Sequence, residues 1–304
     1  MTIDVVVFGV GRWGMNHLKS LIDLRRQGLV DGLQAWDINP SLRKDVENLG
    51  VEWSSQVRKG MIAIVATPSQ THHHVSMDLI EKGVHVLIEK PMARDVEEAR
   101  EILDAAVAAG VVVETGLLLR HHPVVKVARL LIAEGRIGGI ESIHCQRHST
   151  RPVRDDESII DVLAIHYLDL CCHLLHEAEP LTTRGQIDTT PTKLSCRISL
   201  EFEPGIEGLC DVSWGAEHEI RAMAIMGTDG RIDIDFSNHD NLLLDSRPMT
   251  IEDSTPPLTA ELISFIEKCS ATENSTLGRP AIRSVGWKNR LRIGNRHHVG
   301  LQQH

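Results

Sequence analysis

The sequence predicts an α/β protein made of two sheets: an N-terminal doubly wound parallel sheet, then an α+β domain with an open, mostly antiparallel sheet. Three observations carry this. Ile3 to Phe8 is a short, valine-rich apolar run that ends at a glycine, the pattern of a strand buried on both faces. Apolar strands then alternate with helical stretches to about residue 117, which implies a parallel sheet with helices on both faces. After a further helix, strand-like segments follow one another at hairpin-like spacing between residues 192 and 244, which implies an antiparallel sheet. With 304 residues the chain is long enough for two domains, placed at 1–117 and 118–304.

The first strand runs into Gly9-x-Gly11-x-x-Gly14 and then a helical stretch, Trp13 to Arg26. Strand, tight glycine turn and helix are the context of the Rossmann dinucleotide fingerprint. Gly9 permits the turn, Gly11 lets backbone approach a diphosphate, and Gly14 lets the helix pack close. The N–H groups near Arg12 and Trp13 then face the anion. The competing reading is a ligand-free βα turn. A second strand, Leu29 to Trp36, ends in Asp37, near the roughly 20-residue spacing of a ribose-binding carboxylate. A 2′-phosphate there meets a like charge, which favours NAD over NADP, although Arg43 leaves NADP possible. Asp37 is equally suited to capping the turn Asp-Ile-Asn-Pro.

Pro40 to Gly50 reads as a short helix and Gly60 to Ala66 as an apolar strand, stopped by Thr67-Pro68 on the carboxyl edge of the sheet. A helix over Ser69 to Lys82 follows, then a strand, Val84 to Ile88, and Glu89-Lys90-Pro91. Val96 to Ala109 is an amphipathic helix ended by Gly110, and Val111 to Glu114 is the last strand of this part. His72, His73 and His74 are consecutive, so they point in different directions and cannot share one metal. One of them, His72, is expected to face the cofactor.

In the second part Pro123 to Glu134 is helical, Gly139 to His148 is strand-like, and Ile159 to His176 holds a strongly apolar helix. Strands are predicted at 192–202, 208–214, 219–226, 231–236 and 241–244, with Thr228-Asp229-Gly230 as a hairpin turn. Pro257 to Cys269 is a helix. The stretch from Ser284 lacks an apolar stripe and is predicted to be poorly packed or disordered.

Composition excludes several classes. A net charge of −10 argues against a nucleic-acid partner. No apolar window approaches the length of a membrane span, and no leader pattern is visible at the N-terminus. The six cysteines form no framework, so they read as reduced thiols in a cytoplasmic protein.

Taken together, G-V-G-R-W-G (9–14), A-T-P-S-Q-T-H (66–72), E-K-P (89–91), G-L-L-L-R-H-H-P (116–123) and, more loosely, L-A-I-H-Y-L-D-L (163–170) resemble the Gfo/Idh/MocA oxidoreductases. The resemblance implies an NAD(P)-dependent enzyme acting on a secondary alcohol of a sugar, sugar nucleotide or cyclitol. It implies that Lys90 is the catalytic lysine, with Glu89 near the nicotinamide and Pro91 fixing the turn. Physically, a lysine there can take the hydroxyl proton and stabilise developing alkoxide charge. Thr67 and Pro68 join the cofactor contacts. The resemblance places Arg120 at the substrate or cofactor, makes His166 the substrate-contacting histidine, and makes the protein a homodimer or homotetramer through its open sheet.

One departure stands out. The family's Asp four residues before the histidine is Val162 here, and the nearest acid is Asp161. On an α-helix one residue is a rotation of about 100°, so Asp161 meets His166 only through a local bulge or a non-helical lead-in. If it does not, the chain is an NAD-binding sensor or regulatory protein without turnover. His166, Asp169 and His173 with Cys172 also lie within two helical turns and could hold zinc, but the family pattern explains His166 and Asp169 without metal, and no metal is expected. Arg147, Arg151 and Arg154 are either a diphosphate clamp or solvated surface arginines.

Overall fold

The computed structural model describes residues 3–154, 158–237, 241–271, 285 and 292–295. They divide into two units. The first takes the described residues up to His121 and those from Thr255 to 285; the second takes His122 to Ser254 and 292–295.

In the first unit the elements are β1 (Ile3–Phe8), α1 (Arg12–Arg26), β2 (Val30–Trp36), a 3-10 turn, α2 (Arg43–Asn48), β3 (Glu52–Trp53), β4 (Ile62–Val65), α3 (His72–Glu81), β5 (His85–Ile88), α4 (Val96–Ala109) and β6 (Val113–Thr115). The sheet order is β3-β2-β1-β4-β5-β6, and every pairing is parallel. Strands without polar side chains fit this position: Val5, Val6 and Val7 are fully buried, because both sheet faces are covered. One face packs Val6, Ala63, Val65, Val86 and Ile88 against α3 and α4. The helix predicted over Val96 to Ala109 is bounded as its sequence dictates. The Asp95 side chain accepts from Glu98 N–H at its start, and Gly110 takes φ 64° at its end.

The other face packs Val5, Val7, Ile62, Ile64 and Leu87 against α1 and against Leu262, Phe265 and Ile266. Those three residues belong to a helix close to the end of the chain, Pro257–Ser270. The sequence division at 117/118 assigns this helix to the second domain; its apolar stripe is buried in the first.

The second unit contains α5 (Pro123–Ala133), β7 (Ile140–Ser149), a π-helical turn (Ile160–Ala164), α6 (Ile165–Leu174), β8 (Thr182–Thr189), β9 (Leu194–Phe202), β10 (Ile206–Trp214), β11 (Ile220–Gly227), β12 (Arg231–Asp235), β13 (Leu242–Leu244) and β14 (Arg247–Pro248). The helix of the first unit over Pro257–Ser270 is α7, and β15 is Arg292–Asn295. The sheet order is β14-β13-β12-β11-β7-β10-β9-β8-β15, antiparallel except for β7–β10 and β8–β15. Alternation puts Ile143, Cys145, Ile198, Leu200, Cys210, Val212, Met223 and Ile225 on the buried face. Cys145 Sγ lies 3.8 Å from Cys171 Sγ, which seats α6 on that face. The opposite face carries a charged group in which Asp211 accepts from Arg197 Nε (2.6 Å) and from His144 Nε2 (3.0 Å).

Two expectations change. The stretch from Ser284 contains Val285, buried in the first unit's core, and β15, paired parallel with β8; its other residues lie outside those described. The region predicted as one helix over 159–176 is a π turn leading into α6.

Candidate active site

The strand order of the first sheet reverses between β1 and β4, and open α/β sheets bind ligands at that switch point, off the carboxyl ends of the strands. The turn there is built for close approach. Gly9 has φ +87°, and a Cβ on it would lie 2.6 Å from Ala66 O. A Cβ on Gly14 would lie 1.8 Å from Gly9 O, so only glycine lets α1 begin this near β1. Around a Cβ on Gly11 nothing lies within 4 Å; the backbone faces open space. Gly11 is the N-cap of α1 and makes no side-chain cap, and the first turn holds no acid. The N–H groups at Arg12 and Trp13 therefore keep their positive end for an anion. The cradle fits a dinucleotide's diphosphate.

Asp37 combines both readings made from the sequence. Its Oδ2 accepts from Val10 N–H (2.7 Å), inside the glycine turn, and its Oδ1 accepts from Asn39 N–H (2.8 Å). It caps its own turn and pins the glycine turn. Each oxygen still has a lone pair for a ribose hydroxyl.

Thr67 and Pro68 follow β4 on the same edge. His72, at the start of α3, is 1% exposed. Its Nε2 lies 2.8 Å from Thr67 O and its Nδ1 2.9 Å from Pro91 O. These contacts fix the His72 ring between two loops at the carboxyl edge of the sheet. Each ring nitrogen lies within hydrogen-bond distance of a backbone carbonyl, so the ring bridges the loop after β4 and the loop after β5. His73 pairs with Glu101 (2.8 Å) instead of turning toward the site.

Glu89 is buried directly after β5. Its Oε1 accepts from His17 Nε2 of α1 (2.8 Å), and its Oε2 from Lys90 N–H (3.2 Å). Lys90 is half-buried, and the Lys90–Pro91 peptide is cis. Arg120 stands in the 3-10 turn Leu118–His121. Its charge acts on Glu114, whose carboxyl is nonetheless pushed up by burial against the pull of Lys268 and Arg120. His17 escaped the sequence reading because it sits inside the apolar stripe of α1, beside Leu18 and Leu21, where a histidine looks like core.

In the second unit Asp161 lies within the π turn Ile160–Ala164, which runs straight into α6 and His166. Ile165 N–H donates to Ile160 O, a bond from i+5 back to i. Such a turn takes up one residue more than an α turn. On such a turn an acid five residues before a histidine can take the side that a four-residue spacing gives on an ordinary helix. This is the bulge that the departure at Val162 requires.

The other candidates are employed elsewhere. His173 Nδ1 bonds to Glu177 Oε1 (2.8 Å), and among the described residues no three acid, His or Cys side chains are grouped to hold a metal. Arg147 Nη1 donates to Glu219 Oε2 (2.8 Å) and to His148 O (2.6 Å). Glu219 resists its partial burial: hydrogen bonds from Thr150 N–H, Ser149 and Arg147 hold its carboxyl down at about 2.

The first unit is by geometry a dinucleotide-binding sheet of the doubly wound class, and its cofactor is NAD. The chain belongs to the Gfo/Idh/MocA family of oxidoreductases. Residues 3–117 match the family's NAD-binding Rossmann domain and residues 125–233 match its C-terminal domain. Among relatives, the scyllo-inositol 2-dehydrogenase (NAD(+)) of Bacillus subtilis is 25% identical over 80% of this chain and 76% of its own length. The UDP-N-acetylglucosamine 3-dehydrogenase of Acidithiobacillus ferrooxidans shares the fold with TM-score 0.80 at 22% identity, over 96% of this chain and 97% of that one. An inositol dehydrogenase homolog from Azotobacter vinelandii, solved with NADH and myo-inositol, gives TM-score 0.81 at 18% identity, over 96% and 94%. The protein is thus an NAD-dependent oxidoreductase. No helix among the described residues is long and apolar enough to cross a membrane.

Proposed function

We propose that the protein oxidises or reduces a secondary alcohol or ketone on a sugar, sugar nucleotide or cyclitol, with Lys90 handling the hydroxyl proton. When bound, NAD supplies the partner for hydride exchange. The glycine turn and the start of α1 hold the diphosphate, and Asp37 selects the ribose without a 2′-phosphate. Lys90, following a buried strand end, takes or returns the hydroxyl proton and screens alkoxide charge. Asp161 and His166 orient the substrate and pass the proton on. Relatives that act on inositol and on a UDP-sugar support the substrate class.

The single observation carrying the enzymatic reading over a sensor without turnover is the π turn at Ile160–Ala164. In this reading it turns Asp161 toward His166, which the linear spacing does not do. The open face of the second sheet is, in the same reading, a subunit interface of a homodimer or homotetramer, measurable by sedimentation.

The test is Lys90→Met. It keeps NADH affinity and lowers turnover on the responsive polyol by about 10²–10⁴-fold. Unchanged turnover would remove Lys90 from the mechanism.

A further inference from the structure

Glu261 lies on α7, between Ala260 and Leu262, and is 2% exposed. Neither of its carboxyl oxygens has a hydrogen-bond partner among the described residues. α7 packs along α1 and against the 3-10 turn Leu118–His121. The charged groups facing Glu261 are, in order of effect, Glu89, Glu114 and, favourably, Lys268, with the N–H of Leu117 on the same side. Lys268 is already engaged: its Nζ donates to Glu114 Oε1 (2.6 Å). Arg120 also bears on Glu114. Around Glu89 stand His17 and the backbone N–H of Lys90, and Gly116 lies against it: a Cβ there would sit 3.5 Å from Glu89 Cα and Oε2.

Three carboxyl groups therefore meet at the base of the Glu89–Lys90 turn, and two have donors of their own. The third, Glu261, has two buried carboxylates for neighbours and, as a donor on its side, the backbone N–H of Leu117. An ionised carboxyl in that place has too little to replace its water: burial and the two carboxylates outweigh Leu117 N–H and Lys268. A protonated one has an O–H to give, and of the two carboxylates Glu89 bears on it most strongly. We propose that Glu261 is a positioning residue: a neutral acid whose proton is shared with Glu89, so that α7 and α1 together hold the Glu89–Lys90 turn. Burial and the adjoining carboxylates push its carboxyl well above the usual range, in keeping with that geometry. The role in positioning Lys90 rests on the proposed function; the protonation does not.

The experiment uses the full chain as wild type, Glu261→Gln and Glu261→Leu, with Lys90→Met alongside. At neutral pH the infrared difference between wild type and E261Q contains the carbonyl stretch of a protonated carboxyl group, and Lys90→Met retains that band. Because folding takes up a proton that the unfolded carboxyl has lost, the unfolding constant of wild type relative to E261Q rises about tenfold per pH unit above the ordinary carboxylate range. Gln keeps a donor toward Glu89 and binds NADH like wild type, whereas Leu weakens NADH by roughly tenfold, the worth of about one hydrogen bond to a charged group. Absence of the band, a flat pH ratio, or E261Q binding NADH as weakly as E261L would overturn the proposal. If the Leu variant does not fold, the band and the pH ratio still decide. Turnover surviving in Lys90→Met would sink the lysine's role while leaving both of those readouts intact, so the two failures are told apart.

Discussion

At Asp37 the carboxylate that would meet a ribose is also the pin of the glycine turn, through Val10 N–H and Asn39 N–H. Charge and shape can be separated there. Asp37→Asn retains one acceptor oxygen and loses the repulsion toward a 2′-phosphate, so the NADH preference over NADPH shrinks by about tenfold. That is the ~1.4 kcal/mol of one charge interaction, readable by calorimetric titration of both cofactors. Asp37→Ala also strands the two N–H groups and lowers stability by about 1–3 kcal/mol, seen as a lower unfolding midpoint. Glu219 gives a pH signature. Its folded carboxyl is held at about 2, below the ordinary value of 4.5. A depressed carboxyl contributes stability above the ordinary value and loses it as pH falls through the folded one. The gap in unfolding midpoint between wild type and Glu219→Gln is therefore full at neutral pH and closes as pH falls toward 2. A gap that widens on acidification would refute the assignment.

Among the elements, the π turn makes the sharpest prediction. Deleting Val162 leaves Asp161 four residues before His166, the spacing that an uninterrupted α-helix needs to keep both on one face. That deletion should retain turnover within about tenfold, while Asp161→Asn should lose about 10²-fold or more. If the deletion is as damaging as the substitution, the π turn serves packing and not registration. What the sequence revealed follows how strongly each element is patterned. β1, β4, β5 and α4 are apolar runs or capped amphipathic stretches, and they lie within a few residues of where the pattern put them. β8 was not anticipated, because Thr-Thr-Arg-Gly-Gln-Ile-Asp-Thr offers a single large apolar residue; its partner β9 supplies the buried side chains. The π turn is invisible to periodicity, since one extra residue in an apolar helix leaves the composition unchanged. His17 and Glu261 were not legible either. Each is one polar residue inside an apolar stripe, and only the packing of α1 and α7 around Glu89 gives them a purpose.

On the scale of the whole molecule, the two units are interleaved in sequence, because α7 returns to the first. Phe265 is fully buried there among Leu18, Leu21 and Leu87. Phe265→Ala should cost about 3–5 kcal/mol and abolish NADH binding together with the first unit's unfolding transition, followed by cofactor fluorescence during denaturant titration. Loss of stability with NADH affinity unchanged in the remaining folded protein would show that α7 supports the sheet without reaching the site.

That return also orders events at the ribosome. Residues up to His121 emerge first and carry the whole glycine turn, yet on one face of their sheet only α1 serves as cover until Pro257–Ser270 has been synthesised. Nascent chains tend to fold from the N-terminus onward, but this one must carry a partly uncovered aliphatic surface through the translation of β7 to β14. Arrested chains ending before residue 257 should be chaperone clients and fail to retain NADH, and those extended past α7 should retain it. The ability to hold cofactor would then report that α7 has been made.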